Sequence, residues 1–172
     1  FLKSEWSPIW KFTTDSTGTN PPIYIDSDGI VKCEGEDIGL TWVVDGVTYE
    51  VVDRDLLIQR RDEGADLTKK CVSNITDMSN MFQFSQFNQP IGNWDVSNVT
   101  NMSRMFYLSD FNQPIGDWDV SNVTDMSRMF YESQFNKPVG NWDVSNVTNM
   151  SEMFSGSFDN YSIFNQPIGN WD

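Results

Sequence analysis

Chemistry near neutral pH usually needs a group that titrates there, and this chain has no histidine. That removes the usual general base, the Ser–His and Cys–His nucleophile pairs and the commonest zinc ligand. Carboxylates are plentiful instead: 25 acidic side chains stand against 11 basic ones, a net charge of −14. Three of them, Asp95, Asp119 and Asp143, recur every 24 residues. Each lies two residues before a serine (Ser97, Ser121, Ser145) and five before a threonine (Thr100, Thr124, Thr148). Stacked like charges repel, so such a row calls for a cation, an adjacent donor or free solvent. Asp26-Ser27-Asp28-Gly29 suggests a calcium loop, but with Gly29 at the loop glycine, Tyr24 and Gly35 fall at the two ends that need ligands. The segment is expected to be a turn. No catalytic residue, cofactor or metal ligand is predicted, and the chain is expected not to be an enzyme.

Cys33 and Cys71 are the remaining reactive groups, 38 residues apart and far from any zinc spacing. Either they pair, which implies an oxidising compartment, or both are free and buried. Pairing is the expectation, because a small irregular segment needs a staple more than a large core does. Closing a loop of that length stabilises by roughly 3–4 kcal/mol in the chain-entropy model.

The residues that could do chemistry sit inside a repeat. Trp94-Asp95-Val96-Ser97-Asn98-Val99-Thr100-Asn101-Met102-Ser103-Arg104-Met105-Phe106, closing on Phe111-Asn112-Gln113-Pro114-Ile115-Gly116, recurs nearly unchanged from Trp118 and again from Trp142. A degenerate first copy starts at Cys71. The final interval, Trp142 to Trp171, is longer because of an insertion over residues 155–163. Trp94 and Val96 share one face of an extended segment, with Asp95 opposite and outward. Met102, Met105 and Phe106 fall at the spacing of one apolar helical stripe, with Asn101 at the N-cap position. Each unit therefore predicts a short strand, a short helix and an Asn-Gln-Pro-Ile-Gly corner.

All eight methionines belong to this scheme and are assigned to the core with the period-locked Phe and Trp. Asn88, Asn112, Asn136 and Asn165 are assigned to a ladder that satisfies corner backbone. Sequons at Asn74, Asn98, Asn101, Asn122, Asn146, Asn149 and Asn160 come mostly from the repeat itself and matter only in a eukaryotic secretory pathway.

Residues 1–70 do not repeat and predict a small α+β cap. Residues 13–22 predict a loop. Asp45-Gly46 between residues 40–44 and 47–52 is a two-residue hairpin signal. Asp53 is a fitting N-cap for a helix over residues 54–63, with Gly64 beyond its end. The expected fold is thus α+β: a cap over residues 1–70, then about four stacked 24-residue coils of a solenoid over residues 71–172, each a short strand plus a short helix.

The string Trp-Asp-Val-Ser-Asn-Val-Thr-(Asn/Asp)-Met-Ser-x-Met-Phe, closing on Phe-Asn-Gln-Pro-Ile-Gly, resembles the repeat of BspA-like leucine-rich-repeat surface proteins, also known from mycoplasma lipoprotein-associated proteins. The resemblance covers about residues 71–172. It implies a leucine-rich-repeat-like solenoid, a secreted or cell-surface location, and adhesion or partner binding without catalytic residues. Val, Met, Phe and Trp stand where leucine would in ordinary leucine-rich repeats.

The acidic balance repels phosphate backbones and anionic lipid, so nucleic acid is excluded as a partner. No stretch approaches the roughly 20 apolar residues of a spanning helix, so direct membrane insertion is not expected. Phe1 reads as an internal or processed start. The leading expectation is an adhesin-like binding module that contacts protein or glycan through Asp95, Ser97, Thr100, Asp119, Ser121, Thr124, Asp143, Ser145 and Thr148. The alternative is a structural or accessory subunit docked permanently in a larger assembly.

Overall fold

The computed structural model describes residues 21–156 and 162–171. The Asn160 sequon, most of the insertion and most of the loop predicted over residues 13–22 lie outside the described residues. Asp45 and Gly46 adopt φ of 49° and 81°, the paired left-handed conformations that a type I′ turn requires. They join β3 (Thr41–Val44) to β4 (Val47–Val51) in an antiparallel register that sets Trp42 against Tyr49. β5 (Lys70–Cys71) extends this sheet in parallel, with Val51 opposite Cys71.

Upstream, β1 (Tyr24–Ile25) and β2 (Val31–Lys32) form a separate antiparallel pair. The segment between them is a turn, as its sequence predicts. The Asp26 carboxylate accepts the amides of Asp28 and Ile30 at 3.0 and 2.9 Å. Helix α1 (Arg54–Asp62) starts where predicted: Asp53 caps it by accepting the Leu56 amide at 2.8 Å, and Arg60 and Arg61 lie in its last turn. A 3-10 turn (Leu67–Lys69) leads into β5. Cys33 and Cys71 form a disulfide that ties the loop after β2 to β5.

The leucine-rich-repeat-like solenoid of about four coils, with a strand and a helix in each, is not the architecture found. Every named element lies between Tyr24 and Cys71: five short strands in two sheets, one α-helix and one 3-10 turn. Beyond Cys71 the described residues hold turns and single parallel bridges, Asp77 to Asn101, Asn101 to Asp125 and Asp125 to Asn149.

The destination of the backbone amides explains the absence of helix. One turn of helix is marginal by itself, and these amides find acceptors outside it. Met102, Arg104, Phe106 and Leu108 donate to the carbonyls of Asp125, Ser127, Met129 and Tyr131, each at 2.9 Å. The intervening amides close local turns, Met105 to Met102 at 3.1 Å and Tyr107 to Arg104 at 3.2 Å. Arg104 and Leu108 take φ of 54° and 51°, which no α-helix contains. Asn101, placed by sequence at a helix N-cap, accepts the Ser103 amide at 3.0 Å within a turn. The expected strand fails for a related reason: Trp94 and Val99 donate locally, to Ile91 and Val96, instead of across units.

Side chains reinforce the same 24-residue register. The indole N–H of Trp94, Trp118 and Trp142 reaches back to the carbonyls of Leu67, Ile91 and Ile115 at 3.1–3.2 Å. Asn88 accepts the Asn112 amide and Asn112 accepts that of Asn136, at 2.9 and 3.0 Å. Phe82, Phe106, Phe130 and Phe154 stack with ring centroids 5.5–5.6 Å apart. A second file, Phe87, Phe111, Phe135 and Phe164, runs beside it at 6.1–6.2 Å. Met78, Met81, Met102, Met105, Met126 and Met129 have no exposure, so the stripe read from the sequence is a core stripe although its backbone is not helical. At Gly116 a Cβ would lie 2.8 Å from the Pro138 carbonyl oxygen, and Gly92 and Gly140 face the next unit in the same way. The main core runs without a break from Val52, Leu57 and Leu67 to Met153.

Met129→Ala should destabilise by about 2–5 kcal/mol, as a large-to-small change in a fully buried site. Gly116→Ala should also destabilise, by about 1–3 kcal/mol, because the carbonyl it meets is backbone and cannot swing aside. Urea titrations of both variants check this; wild-type midpoints would show that the register tolerates local relaxation.

Candidate functional site

The residues predicted to form an outward row occupy two different environments. Asp119, Thr124, Asp143, Ser145 and Thr148 are exposed, and Ser121 is half-buried. In each unit the carboxylate folds back on its own serine. Asp119 accepts the Ser121 amide and hydroxyl at 3.1 and 2.6 Å, and Asp143 accepts the Ser145 amide at 3.1 Å. Thr100, Thr124 and Thr148 donate their hydroxyls to the carbonyl of the equivalent threonine one unit earlier, at 3.1–3.2 Å. Among the described residues no lysine or arginine pairs with Asp119 or Asp143. The Ser145 hydrogen bonds hold the Asp143 carboxyl below the usual carboxylate value.

Asp95 corrects the sequence expectation. It does not face solvent: it is 3% exposed, because β2 crosses over it and places Lys32 Nζ 2.8 Å from its Oδ1. Ser97, half-buried beside it, donates its hydroxyl to the same oxygen at 2.7 Å. Burial opposes ionisation of Asp95. Hydrogen bonds from Lys32, Ser97 and Ser73, with the Lys32 charge, outweigh that and hold the carboxyl below its ordinary value. Burial likewise pulls the Lys32 ammonium down, but Asp95 outweighs it and the pKa is raised. Alternation of side chains placed Asp95 outward correctly for an isolated unit, but it carried no information about β2.

A second set of charges braces the other sheet. Glu50 accepts from Arg60 Nη2 at 2.7 Å and from Lys70 Nζ at 2.6 Å. The Arg60 hydrogen bonds, opposed by desolvation and aided by Lys70, lower its carboxyl to about 2.

The Met-Ser-x-Met-Phe turns carry a surface that sequence reasoning missed. Phe84, 69% exposed, meets Tyr107 edge-on at 5.4 Å, and Tyr107 stacks on Tyr131 at 5.1 Å. Arg104 is exposed nearby, and Arg128 pairs with Glu152 at 2.9 Å. These positions differ from unit to unit, at x of Met-Ser-x-Met-Phe and in the two residues after Phe. That variation was the signal available. A shallow groove lined by Tyr49, Lys69, Gly92 and Asn93 holds no convergent acid–base set. Among the described residues no group of three or more Cys, Asp or Glu is arranged to hold a metal ion, and no helix is long and apolar enough to cross a membrane.

Residues 57–171 match the model of a family described as Mycoplasma protein of unknown function, DUF285. The chain belongs to the DUF285 family. The match begins inside α1 and runs to Trp171, so it takes in the rest of that helix and the 3-10 turn that abut the first unit as well as the repeats. No curated protein and no solved structure matches this DUF285 chain.

One pH effect and two substitution effects follow. A group whose folded pKa is depressed contributes stability that is fully present above its unfolded value and lost as pH falls through the folded value. With Glu50 near 2 against an ordinary 4.5, stability should fall steadily from about pH 5 towards pH 2, and Glu50→Gln should flatten that slope while lowering stability at pH 7. Asp95→Asn should cost on the order of 1–3 kcal/mol at neutral pH by unpairing Lys32, whereas Asp119→Asn should leave the thermal midpoint unchanged. Thermal melts across pH check all three.

Proposed function

We propose that this DUF285 chain is a non-enzymatic binding module of an adhesin type, secreted or displayed at a cell surface, that engages protein or glycan through its repeat face. The observation that carries this is the spacing of the outward side chains. Asp119 and Asp143, Ser121 and Ser145, and Thr124 and Thr148 recur in register on a backbone whose bridges lock unit to unit. Equivalent groups at fixed intervals give one weak contact per unit, and such contacts multiply through effective concentration. The Cys33–Cys71 disulfide suits an oxidising, extracytoplasmic setting. The resemblance of the repeat to that of BspA-like surface proteins points the same way.

The test is direct. The intact chain, immobilised with its disulfide oxidised, is offered a glycan array and a panel of folded proteins and peptides. We expect saturable binding of at least one class, weakened by Asp119→Asn with Asp143→Asn or by Tyr107→Ala with Tyr131→Ala. Binding by neither face, or binding indifferent to both double variants, would overturn the proposal.

A further inference from the structure

The chain already shows how one position of its acidic row is filled. Residues 31–33 cross the first units in extended conformation, just before the chain turns at Glu34-Gly35. The Val31 amide donates to the Asn93 carbonyl at 2.9 Å, and Val31 bridges Trp94 in parallel. Lys32 Nζ sits 2.8 Å from Asp95 Oδ1, and the Cys33 amide donates to the Ser73 hydroxyl at 3.2 Å. Three consecutive residues thus use one carbonyl, one carboxylate and one serine hydroxyl of the repeat.

The repeat presents the same three groups twice more, and among the described residues no backbone amide and no lysine or arginine takes the carbonyl and the carboxylate of either set. The counterparts of Asn93, Asp95 and Ser73 are Asp117, Asp119 and Ser97 one unit on, and Asn141, Asp143 and Ser121 in the unit after. Among the described residues, the Asp117 and Asn141 carbonyls accept no backbone hydrogen bond. Asp119 and Asp143 are exposed and have no cationic partner there. On Asp95 the lysine and the serine share Oδ1, and the Oδ1 of Asp119 and of Asp143 is held by its serine in the same way.

We propose that these two positions dock an extended, lysine-bearing segment of a partner protein, laid across the units in the way residues 31–33 lie on Asp95. A net charge of −14 favours a basic partner and speeds its approach at low salt. The extended backbone supplies the amide for the Asp117 or Asn141 carbonyl, and the lysine supplies the charge. This is the peptide-recognition mode in which main-chain hydrogen bonds give affinity and alternate side chains give specificity. The inference rests on the binding-module proposal and narrows it to one face and one ligand class.

The experiment uses the whole oxidised chain and a fluorescent peptide with its own residues 29–36, serine replacing Cys33, followed by anisotropy. We expect saturable binding that weakens as salt rises. It should weaken at least about tenfold, or 1.4 kcal/mol, in the Asp119→Asn, Asp143→Asn double variant. Equal losses should follow two changes in the peptide: Lys32→Met, which removes the charge, and Val31→Pro, which removes the amide. Unaltered circular dichroism of the double variant excludes unfolding as the cause. Undiminished binding of the Val31→Pro peptide would reduce the contact to charge alone and overturn the docking geometry. No peptide binding, or calcium binding at these carboxylates in its place, would overturn the inference outright. If the chain still holds a glycan or protein through Tyr107 and Tyr131, the broader proposal stands while this one falls.

Discussion

Alternate backbone amides of the Met-Ser-x-Met-Phe segment donate into the next unit and not into their own turn, and the remainder of the repeat is arranged around that choice. Half of the amides are committed across units, so the chain must step forward by the same distance each time. The left-handed φ at Asn80, Arg104, Arg128 and Glu152 is the local cost of pointing every second amide outward. Once the step is set, identical side chains meet their own copies. Phenylalanine rings stack on phenylalanine rings, indoles reach the same carbonyl one unit back, and asparagines bridge corners. A mismatch in any one column would leave buried polar groups unpaired in the others.

The elements before Cys71 solve a different problem. The first unit needs something to stack against, and it is covered by α1 and the 3-10 turn, whose Leu57 and Leu67 enter the main core. Arg54 and Arg61 of α1 donate to the carbonyls of Asp77, Ser79 and Met81, whose counterparts Asn101, Ser103 and Met105 accept amides of the preceding unit, so the two guanidinium groups replace the unit that the first one lacks. The second sheet sits to one side, pinned by the disulfide and by Lys32 on Asp95. An acid that repeats as a surface residue elsewhere becomes an internal ion pair here, because β2 removes it from water and supplies the countercharge.

The division between constant and variable columns bears on function. Columns that hold the register are nearly invariant along the chain, and their polar groups are spent on backbone. Columns around Phe84, Tyr107 and Tyr131 vary and face solvent. The acidic column is intermediate: constant in type, yet among the described residues covered only at Asp95. A binding surface built this way can change specificity by altering the variable columns without disturbing the packing beneath.

The local elements were legible in the residues. Asp45-Gly46 dictates its hairpin because few other dipeptides tolerate two left-handed conformations, and Asp53 caps its helix because its carboxylate reaches a free amide. The period, the buried methionines and the asparagine ladder follow from repetition, since a residue that recurs with the core period has a core or register reason. Helix and strand within each unit were not decided by that pattern. Spacing at i, i+3 and i+4 reports which side chains are buried together, but it does not say whether the amides bond within a turn or to a neighbour. Nor could the sequence separate Asp95 from Asp119 and Asp143, which are identical in their local strings. Only the tertiary structure distinguishes them, because burial and a lysine partner come from a segment more than sixty residues away, and no local pattern encodes what crosses overhead.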